Sequence, residues 1–202
     1  MEQQTVTNMN FDEVISLLKS NNINTDTRSI IYKSLGQIIK KDYNFDCSEP
    51  EYRKIYLFFV NLINLREIDL IKKGLKIYND NNGDLHMYCH LGIPFLKNEM
   101  LKQYYEIISE YNYNKYFIKG ILIVAVDNMF YLEPNKVCYL VTETAIFATQ
   151  NKEYQLIEFL VARWNSTDLK TKGFEIKEMS DNDIELTTKT IKDLEYILNS
   201  RI

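Results

Sequence analysis

The amino-acid sequence predicts an all-α protein. From Phe11 towards the C-terminus, apolar residues recur at intervals of three and four, which is the spacing that puts them on one face of a helix. Helix breakers are scarce, since the 202 residues include only six glycines and three prolines. We therefore expect antiparallel helical hairpins joined by short connections, arranged either as a solenoid or as an irregular bundle.

Turn and capping residues divide the first quarter of the chain into helices. Residues 1–9 are expected to fray, and Asn10 is placed to cap the first helix. Thr25 or Asp26 is expected to cap the second helix, and Pro50 suits the first turn of the third. The third helix has the clearest core-facing stripe, formed by Ile55, Phe58, Phe59, Leu62 and Ile63.

A run of asparagine, aspartate and glycine at 79–84 is the clearest break in the chain. It follows a helix whose apolar face carries Ile68, Ile71, Leu75 and Tyr78. A short helix from Leu85 is expected to end near Gly92, because Pro94 disfavours helical backbone at the residue before it.

The middle of the chain predicts a buried helix between two amphipathic ones. The first has the apolar face Leu101, Tyr104, Tyr105, Ile108 and Tyr111. The stretch 117–130 is apolar on nearly every side, so we expect it to be the central and most buried helix. A helix over 137–149 follows, and its small residues permit close approach of a neighbour.

The C-terminal region leaves two interpretations open. Ser180 with Asp183 resembles a capping box, which predicts a last helix whose apolar stripe is Ile184, Ile191, Leu194 and Leu198. Alternation near 174–177 instead permits a short strand, or a hairpin of 173–178 with 183–188. We favour the helix because cap and stripe agree. Residues 1–202 are interpreted as one domain, with 165–202 as an extension that packs on the helical body.

Composition narrows the classes of partner and compartment. The net charge of −4 and the sequence pI of about 5.3 argue against a protein that follows nucleic-acid phosphates. The N-terminus has no basic segment followed by an apolar one, and 117–130 is too short to span a bilayer. Three widely separated cysteines predict reduced thiols rather than a disulfide framework. We expect a cytoplasmic protein that binds neither nucleic acid nor membrane.

Two stretches, 82–92 and 145–164, resemble ankyrin repeats. In the first, a glycine turn precedes Leu85 and His86, and Gly92 follows at the matching position. In the second, the matching residues are Ala148, Ile157, Leu160 and Val161. The sequence departs from the family pattern, since no Thr-Pro precedes Leu85 and the large Tyr88 occupies a small-residue position. The resemblance implies a scaffold that presents a surface to a protein partner. A divergent, HEAT-like or irregular hairpin packing is the other interpretation.

His86, Cys89 and His90 are the strongest candidates for metal chemistry. On a helix these three residues share one face, and imidazole and thiolate are good zinc ligands. No fourth ligand is evident in the sequence, so we expect capping and core roles and no cofactor. Paired carboxylates such as Asp181 and Asp183 are expected to be exposed helix charge rather than an acid–base pair.

The densest group of tyrosines predicts a surface for binding a protein. Tyr111, Tyr113 and Tyr116 follow Glu106 and Glu110, and exposed tyrosine beside acidic side chains suits a basic partner. We therefore expect a protein-binding module without catalytic activity, such as an immunity-like or antitoxin-like inhibitor that occludes a basic partner. The alternatives are a helical-repeat adaptor and a metal-binding protein or enzyme that uses the histidine and cysteine trio.

Overall fold

The described part of the chain is 87% helical. The structure is a computed structural model, and it describes residues 10–20, 24–39, 50–81, 83–110, 115–166 and 180–200. Within these ranges there is no strand, so the predicted all-α class is confirmed. The ten α-helices of these ranges are α1 (Phe11–Lys19), α2 (Thr25–Ile38), α3 (Pro50–Asn64), α4 (Ile68–Asp80), α5 (His86–Lys97), α6 (Leu101–Glu110), α7 (Lys115–Leu132), α8 (Val137–Gln150), α9 (Tyr154–Ser166) and α10 (Asp181–Asn199).

The chain divides into two compact units, residues 1–87 and 88–202. The interpretation of 1–202 as a single domain stays a prediction. The expected frayed segment 1–9 lies outside the described residues.

In the first unit, α1 packs on α3, and α4 packs on both α2 and α3. The stripe predicted on α3 is buried completely. Its aromatic centre is Phe59, whose ring meets Phe58 at 5.3 Å and Tyr78 at 6.4 Å between centroids. Close packing is possible because Gly74 faces this ring: a Cβ at Gly74 would lie 2.9 Å from a Phe59 ring carbon. The aromatic core of this unit is therefore tightly packed at Gly74.

Two helix caps illustrate what the sequence does and does not specify. Asn10 caps α1 as predicted, since its Oδ1 accepts from the Glu13 N–H at 3.0 Å and Glu13 accepts from the Asn10 N–H at 2.8 Å. The cap expected at Thr25 or Asp26 is wrong. Asn24 is the cap, because its extended backbone lets Oδ1 accept from the Thr27 N–H at 2.8 Å.

Helix α5 corrects the expected end near Gly92, because it continues through Pro94 to Lys97. A proline inside a helix removes one backbone hydrogen bond and costs about 3 kcal/mol. Burial outweighs that cost here, since each large apolar side chain contributes about 1.5–3 kcal/mol. The side chains of Leu91, Phe95 and Leu96 are all at most 1% exposed.

In the second unit, helices pack on the helix two positions further along the chain as well as on sequence neighbours. Thus α6 packs on α8, α7 on α9, and α8 on α10, while α7–α8, α8–α9 and α9–α10 also pack. This alternation is typical of stacked helical hairpins and favours the solenoid-like arrangement within this unit.

The last helix settles the choice left open at the C-terminus. Ser180 accepts from the Asp183 N–H at 3.2 Å, and Asp183 accepts from the Ser180 N–H at 3.3 Å, so the predicted capping box is confirmed. A hairpin that uses 183–188 is wrong, because these residues belong to α10. The expected strand near 174–177 lies outside the described residues.

Helix α7 is buried on one side only, which corrects the expectation of a central helix buried all round. Val126 and Met129 are fully buried, whereas Val124 is 49% exposed and Tyr131 is 70% exposed. An apolar sequence does not ensure that every side of a helix is covered by a neighbour. Within its unit, α7 packs mainly on α8 and α9. In the described part of the chain, every helix is too short or too polar to cross a bilayer.

Candidate functional site

An open groove of about 570 Å³ runs between α6 and α8 in the second unit. Two of the residues singled out from the sequence, Glu106 and Glu110, lie on its wall. Among the described residues, its lining is formed by Lys102, Tyr105, Glu106, Ser109, Glu110, Glu143, Ile146, Phe147, Gln150 and Asn151. We refer to it as the acidic groove.

The floor of the acidic groove is a pair of stacked aromatic rings. The ring centroids of Tyr105 and Phe147 lie 4.5 Å apart, and the ring planes differ by only 12°. Tyr105 is 2% exposed, and its hydroxyl shares a hydrogen bond of 2.5 Å with the hydroxyl of the fully buried Thr144. Phe147 is half-buried, so part of its ring borders the groove. The floor is therefore aromatic, and the buried Tyr105 holds the Phe147 ring in place.

Burial raises the pKa of Tyr105 well above the ordinary value for a tyrosine. The hydrogen bond with Thr144 opposes this rise, and the nearby negative charge of Glu143 adds to it. The hydroxyl consequently stays protonated at physiological pH. Because it is also occupied by Thr144, its role is to hold α6 against α8 rather than to exchange protons.

Helical periodicity explains how α6 serves both core and groove. Tyr104 points inward, where its hydroxyl donates to the backbone oxygen of Tyr88 at 2.9 Å. Lys102, Glu106 and Glu110 repeat every four residues and form the outer face. The start of the helix is fixed against α8, since the Leu101 N–H donates to the Tyr139 hydroxyl at 3.3 Å.

Helix α8 supplies the opposite wall with the same periodicity. Ile146 and Phe147 lie three and four residues after Glu143, and Gln150 lies four and three residues after them, so the four residues share one face. Ile146 is 47% exposed, so this wall offers an accessible apolar surface beside its carboxylate.

The rim of the groove is predominantly negative. The described lining carries three carboxylates, from Glu106, Glu110 and Glu143, and one ammonium group, that of Lys102. Neither Glu106 nor Glu143 forms an ion pair within the residues that the structure describes. Charged groups of one sign in a concave surface concentrate their potential and attract ligands of opposite charge.

Ser109, which borders the groove, is bonded within its own helix. It donates its hydroxyl proton to the backbone oxygen of Tyr105 at 2.8 Å, an ordinary bond within a helix.

The predicted tyrosine surface is described only in part. Tyr111 and Tyr113 lie outside the described residues, and Tyr116 lies on α7 with a side chain that is not described. Sequence reasoning missed Glu143 and Phe147, because helical spacing identifies a face but does not say which distant helix lies beside it. The stripe on α8 was the available signal, since it places an acidic side chain beside an aromatic one.

The side chains of His86 and Cys89 have different partners. His86 is exposed, and its Nδ1 lies 2.8 Å from Asp84 Oδ1. Cys89 is buried and donates from Sγ to the backbone oxygen of Ile121 at 3.5 Å. Within the described ranges, no group of three or more histidine, cysteine or carboxylate side chains is arranged to hold a metal ion.

Cys138 and Asp183, also considered from the sequence, form hydrogen bonds that stabilise the fold. Cys89 and Cys138 are thiols rather than disulfide sulfurs, and Cys47 lies outside the described residues. Partial burial raises the pKa of the Cys138 thiol, while a hydrogen bond with Thr187 lowers it. Asp183 is occupied as the capping partner of α10.

Comparison with known proteins does not place this chain in a family. No family model matches it, and neither a curated protein nor a solved structure gives a match. The resemblance to ankyrin repeats therefore stays a prediction, and function has to be inferred from the geometry of the groove.

Proposed function

We propose that this chain is a protein-binding module without catalytic activity, and that its acidic groove receives a basic segment of a partner protein. The observation that carries the proposal is the combination of three carboxylates with a stacked aromatic floor in one concavity of about 570 Å³. Carboxylates alone are ordinary helix surface, whereas an accessible aromatic floor beneath them supplies apolar contact area.

The two components of the groove have different physical effects on binding. Glu106 and Glu110 are exposed rim charges, which act mainly on the association rate and its dependence on salt. Phe147 and Ile146 supply apolar contact at the centre, where burial slows dissociation. The net charge of −4 adds a long-range attraction for a basic partner.

Within this class, we favour an inhibitor of the immunity or antitoxin kind that acts in the cytoplasm. Such a protein occludes the basic cleft of its partner with acidic and aromatic side chains. The small size and the acidic balance of the chain support this choice. It also requires no nucleic-acid or membrane contact by this chain.

A helical-repeat adaptor is the second candidate, and the packing of the second unit favours it. The contacts of α6 with α8 and of α8 with α10 are those of stacked hairpins, an architecture that commonly presents binding surfaces. An inhibitor has one tight partner, whereas an adaptor has several weaker ones. Measured affinities for purified partners would therefore separate the two.

The proposal is tested by neutralising the groove. In a triple variant, Glu106→Gln, Glu110→Gln and Glu143→Gln remove the carboxylates and preserve side-chain size. Binding to a short peptide of mixed lysine and arginine is followed by fluorescence anisotropy at two salt concentrations. If each rim charge contributes about 0.5–1 kcal/mol, the triple variant weakens binding by about 10-fold or more and flattens the salt dependence.

A matched control separates groove effects from overall charge. Glu158→Gln, Glu185→Gln and Asp193→Asn remove the same charge from exposed positions on α9 and α10. We expect this second triple variant to bind within about twofold of the unmodified chain, since distant exposed charges are screened. Equal losses in the two triple variants would show that binding follows net charge, and the proposal would be wrong.

A further inference from the structure

We propose that the acidic groove selects arginine over lysine, with one guanidinium lying on the Phe147 ring between Glu106 and Glu143. This inference rests on the proposed function and names the side chain that the groove recognises. It is argued from the shape of the floor, the position of the carboxylates and the size of the groove.

Phe147 supplies an aromatic surface that borders the groove. Tyr105 covers one side of the Phe147 ring in parallel, at 4.5 Å and 12°, and thereby fixes the orientation of that ring. Phe147 remains half-buried and borders the groove. A guanidinium is planar and weakly hydrated, so it stacks on such a ring, whereas a compact ammonium keeps its water shell.

Carboxylates lie on both walls of the groove. Glu143 precedes Phe147 by one helical turn on α8, and Glu106 follows Tyr105 directly on α6. Since neither carboxylate has an ion pair in the described part of the chain, both have acceptors to offer a cation. The five N–H donors of arginine form a rigid fork that can bond a carboxylate through two parallel hydrogen bonds while its plane stays on an aromatic ring.

An arginine also has an apolar stem, and the groove offers a surface for it. Ile146 is 47% exposed beside the floor, where it can cover the methylene groups of the ligand. A volume of about 570 Å³ accommodates one long side chain with its neighbours rather than a folded domain. The occupant is therefore a projecting arginine of the partner, the kind of residue that concentrates binding energy at an interface centre.

Three peptides identical except at their cationic positions test the inference on the full chain. The first carries arginine, the second lysine, and the third citrulline, which keeps the shape of arginine without its charge. We expect the arginine peptide to bind about fivefold more tightly than the lysine peptide, and citrulline to bind at least 10-fold more weakly than arginine. Fluorescence anisotropy at low salt measures all three.

A substitution in the floor then locates the preference. Phe147→Leu keeps an apolar floor but removes the ring, so we expect the ratio between arginine and lysine affinities to fall to about one while both peptides still bind. Ile146→Ala is the matched control on the same wall, and it should weaken both peptides without changing their ratio.

The outcomes separate the two proposals. Equal binding of arginine and lysine peptides by the unmodified chain would overturn the arginine assignment and leave the acidic groove in place. Failure of both peptides to bind at low salt would overturn the proposed function as well. Self-association that is abolished by the Glu106, Glu110 and Glu143 triple variant would show that a second copy occupies the groove, which also overturns the assignment.

A measurement on the unmodified chain tests the stacking on Phe147 without requiring that a variant folds. The ring protons of Phe147 should shift on addition of the arginine peptide, and they should shift less with lysine at equal saturation. Ring shifts of equal size with both peptides would contradict stacking by the guanidinium.

Discussion

The two units use aromatic rings beside charged groups in opposite ways. In the first unit, the partly exposed Tyr32 ring is covered by the chain's own cation, since Lys73 Nζ lies 3.1 Å from the ring centroid. In the second unit, the stacked pair of Tyr105 and Phe147 is bordered mainly by carboxylates. In the first arrangement, a cation of the chain itself covers the ring. In the second, carboxylates border the ring, and we propose that a partner supplies the cation. The contrast shows why the second unit is the better candidate for recognition.

The largest expected loss of stability comes from removing a buried core ring of the first unit rather than a ring of the groove. Phe59→Ala in the first unit should lower the free energy of unfolding by about 3–5 kcal/mol, because the ring is fully buried and its loss leaves a cavity. Phe147→Ala should cost about 1–2 kcal/mol, because its ring is only half-buried. Urea denaturation measures both, and equal losses would contradict the distinction between core and groove.

A pair of glycines sharpens the account of the first unit. Gly74→Ala should destabilise by about 1–3 kcal/mol, because its Cβ would lie 2.9 Å from the buried Phe59 ring. Gly36→Ala on α2 should stabilise by about 0.5–1 kcal/mol, because a Cβ there meets nothing within 4 Å and alanine favours the helix. Thermal unfolding of the two variants should shift in opposite directions, and a shift in the same direction would refute the packing described around Phe59.

Tyr105 links the groove floor to pH. Its pKa is raised in the folded chain, so above about pH 10 the unfolded chain loses this proton while the folded chain retains it. Stability should therefore fall as pH rises above that value, by up to about 1.4 kcal/mol per pH unit for each such tyrosine. Tyr104, whose pKa is also raised by burial, contributes in the same sense.

The Tyr105→Phe variant isolates the contribution of Tyr105 to this pH dependence of stability. At neutral pH it should cost about 1–2 kcal/mol, because the buried Thr144 hydroxyl loses its partner. Above pH 10 the decline should become shallower than in the unmodified chain, since one titrating group is gone. Urea unfolding across pH 7–11 measures both effects, and an unchanged alkaline slope would contradict the burial of this hydroxyl.

The sequence could predict features whose causes are local. The cap at Asn10, the capping box at Ser180 and the stripe on α3 each depend on residues within two or three helical turns, and the structure confirms them. The break at 79–84 is local in the same sense, because α4 ends at Asp80 and α5 begins at His86.

Features that depend on distant neighbours could not be predicted in the same way. Pro94 is tolerated inside α5 because large side chains around it are buried, and Val124 is 49% exposed although it lies in the most apolar stretch of α7. The candidate site shows the same limit. The sequence suggested Glu106 and Glu110 as acidic neighbours of the tyrosine group, but the floor required knowing that α8 lies beside α6.

The smallest expected effect concerns the cation of the first unit. Lys73→Met should lower the free energy of unfolding by about 0.5–1 kcal/mol, because it removes the cation from the Tyr32 ring and keeps the length of the side chain. Lys76→Met on the exposed side of α4 is the control and should change stability by less than about 0.5 kcal/mol. Indistinguishable urea midpoints for the two variants would remove the contrast between the units.

Mapping of the bound basic peptide by residue-resolved NMR tests the central claim most directly. The account predicts that the largest chemical-shift changes fall on α6 and α8, at Glu106, Glu143 and Phe147, and that they fade as salt is raised. Changes concentrated instead on the exposed apolar positions Val124 and Tyr131 of α7, and insensitive to salt, would contradict it.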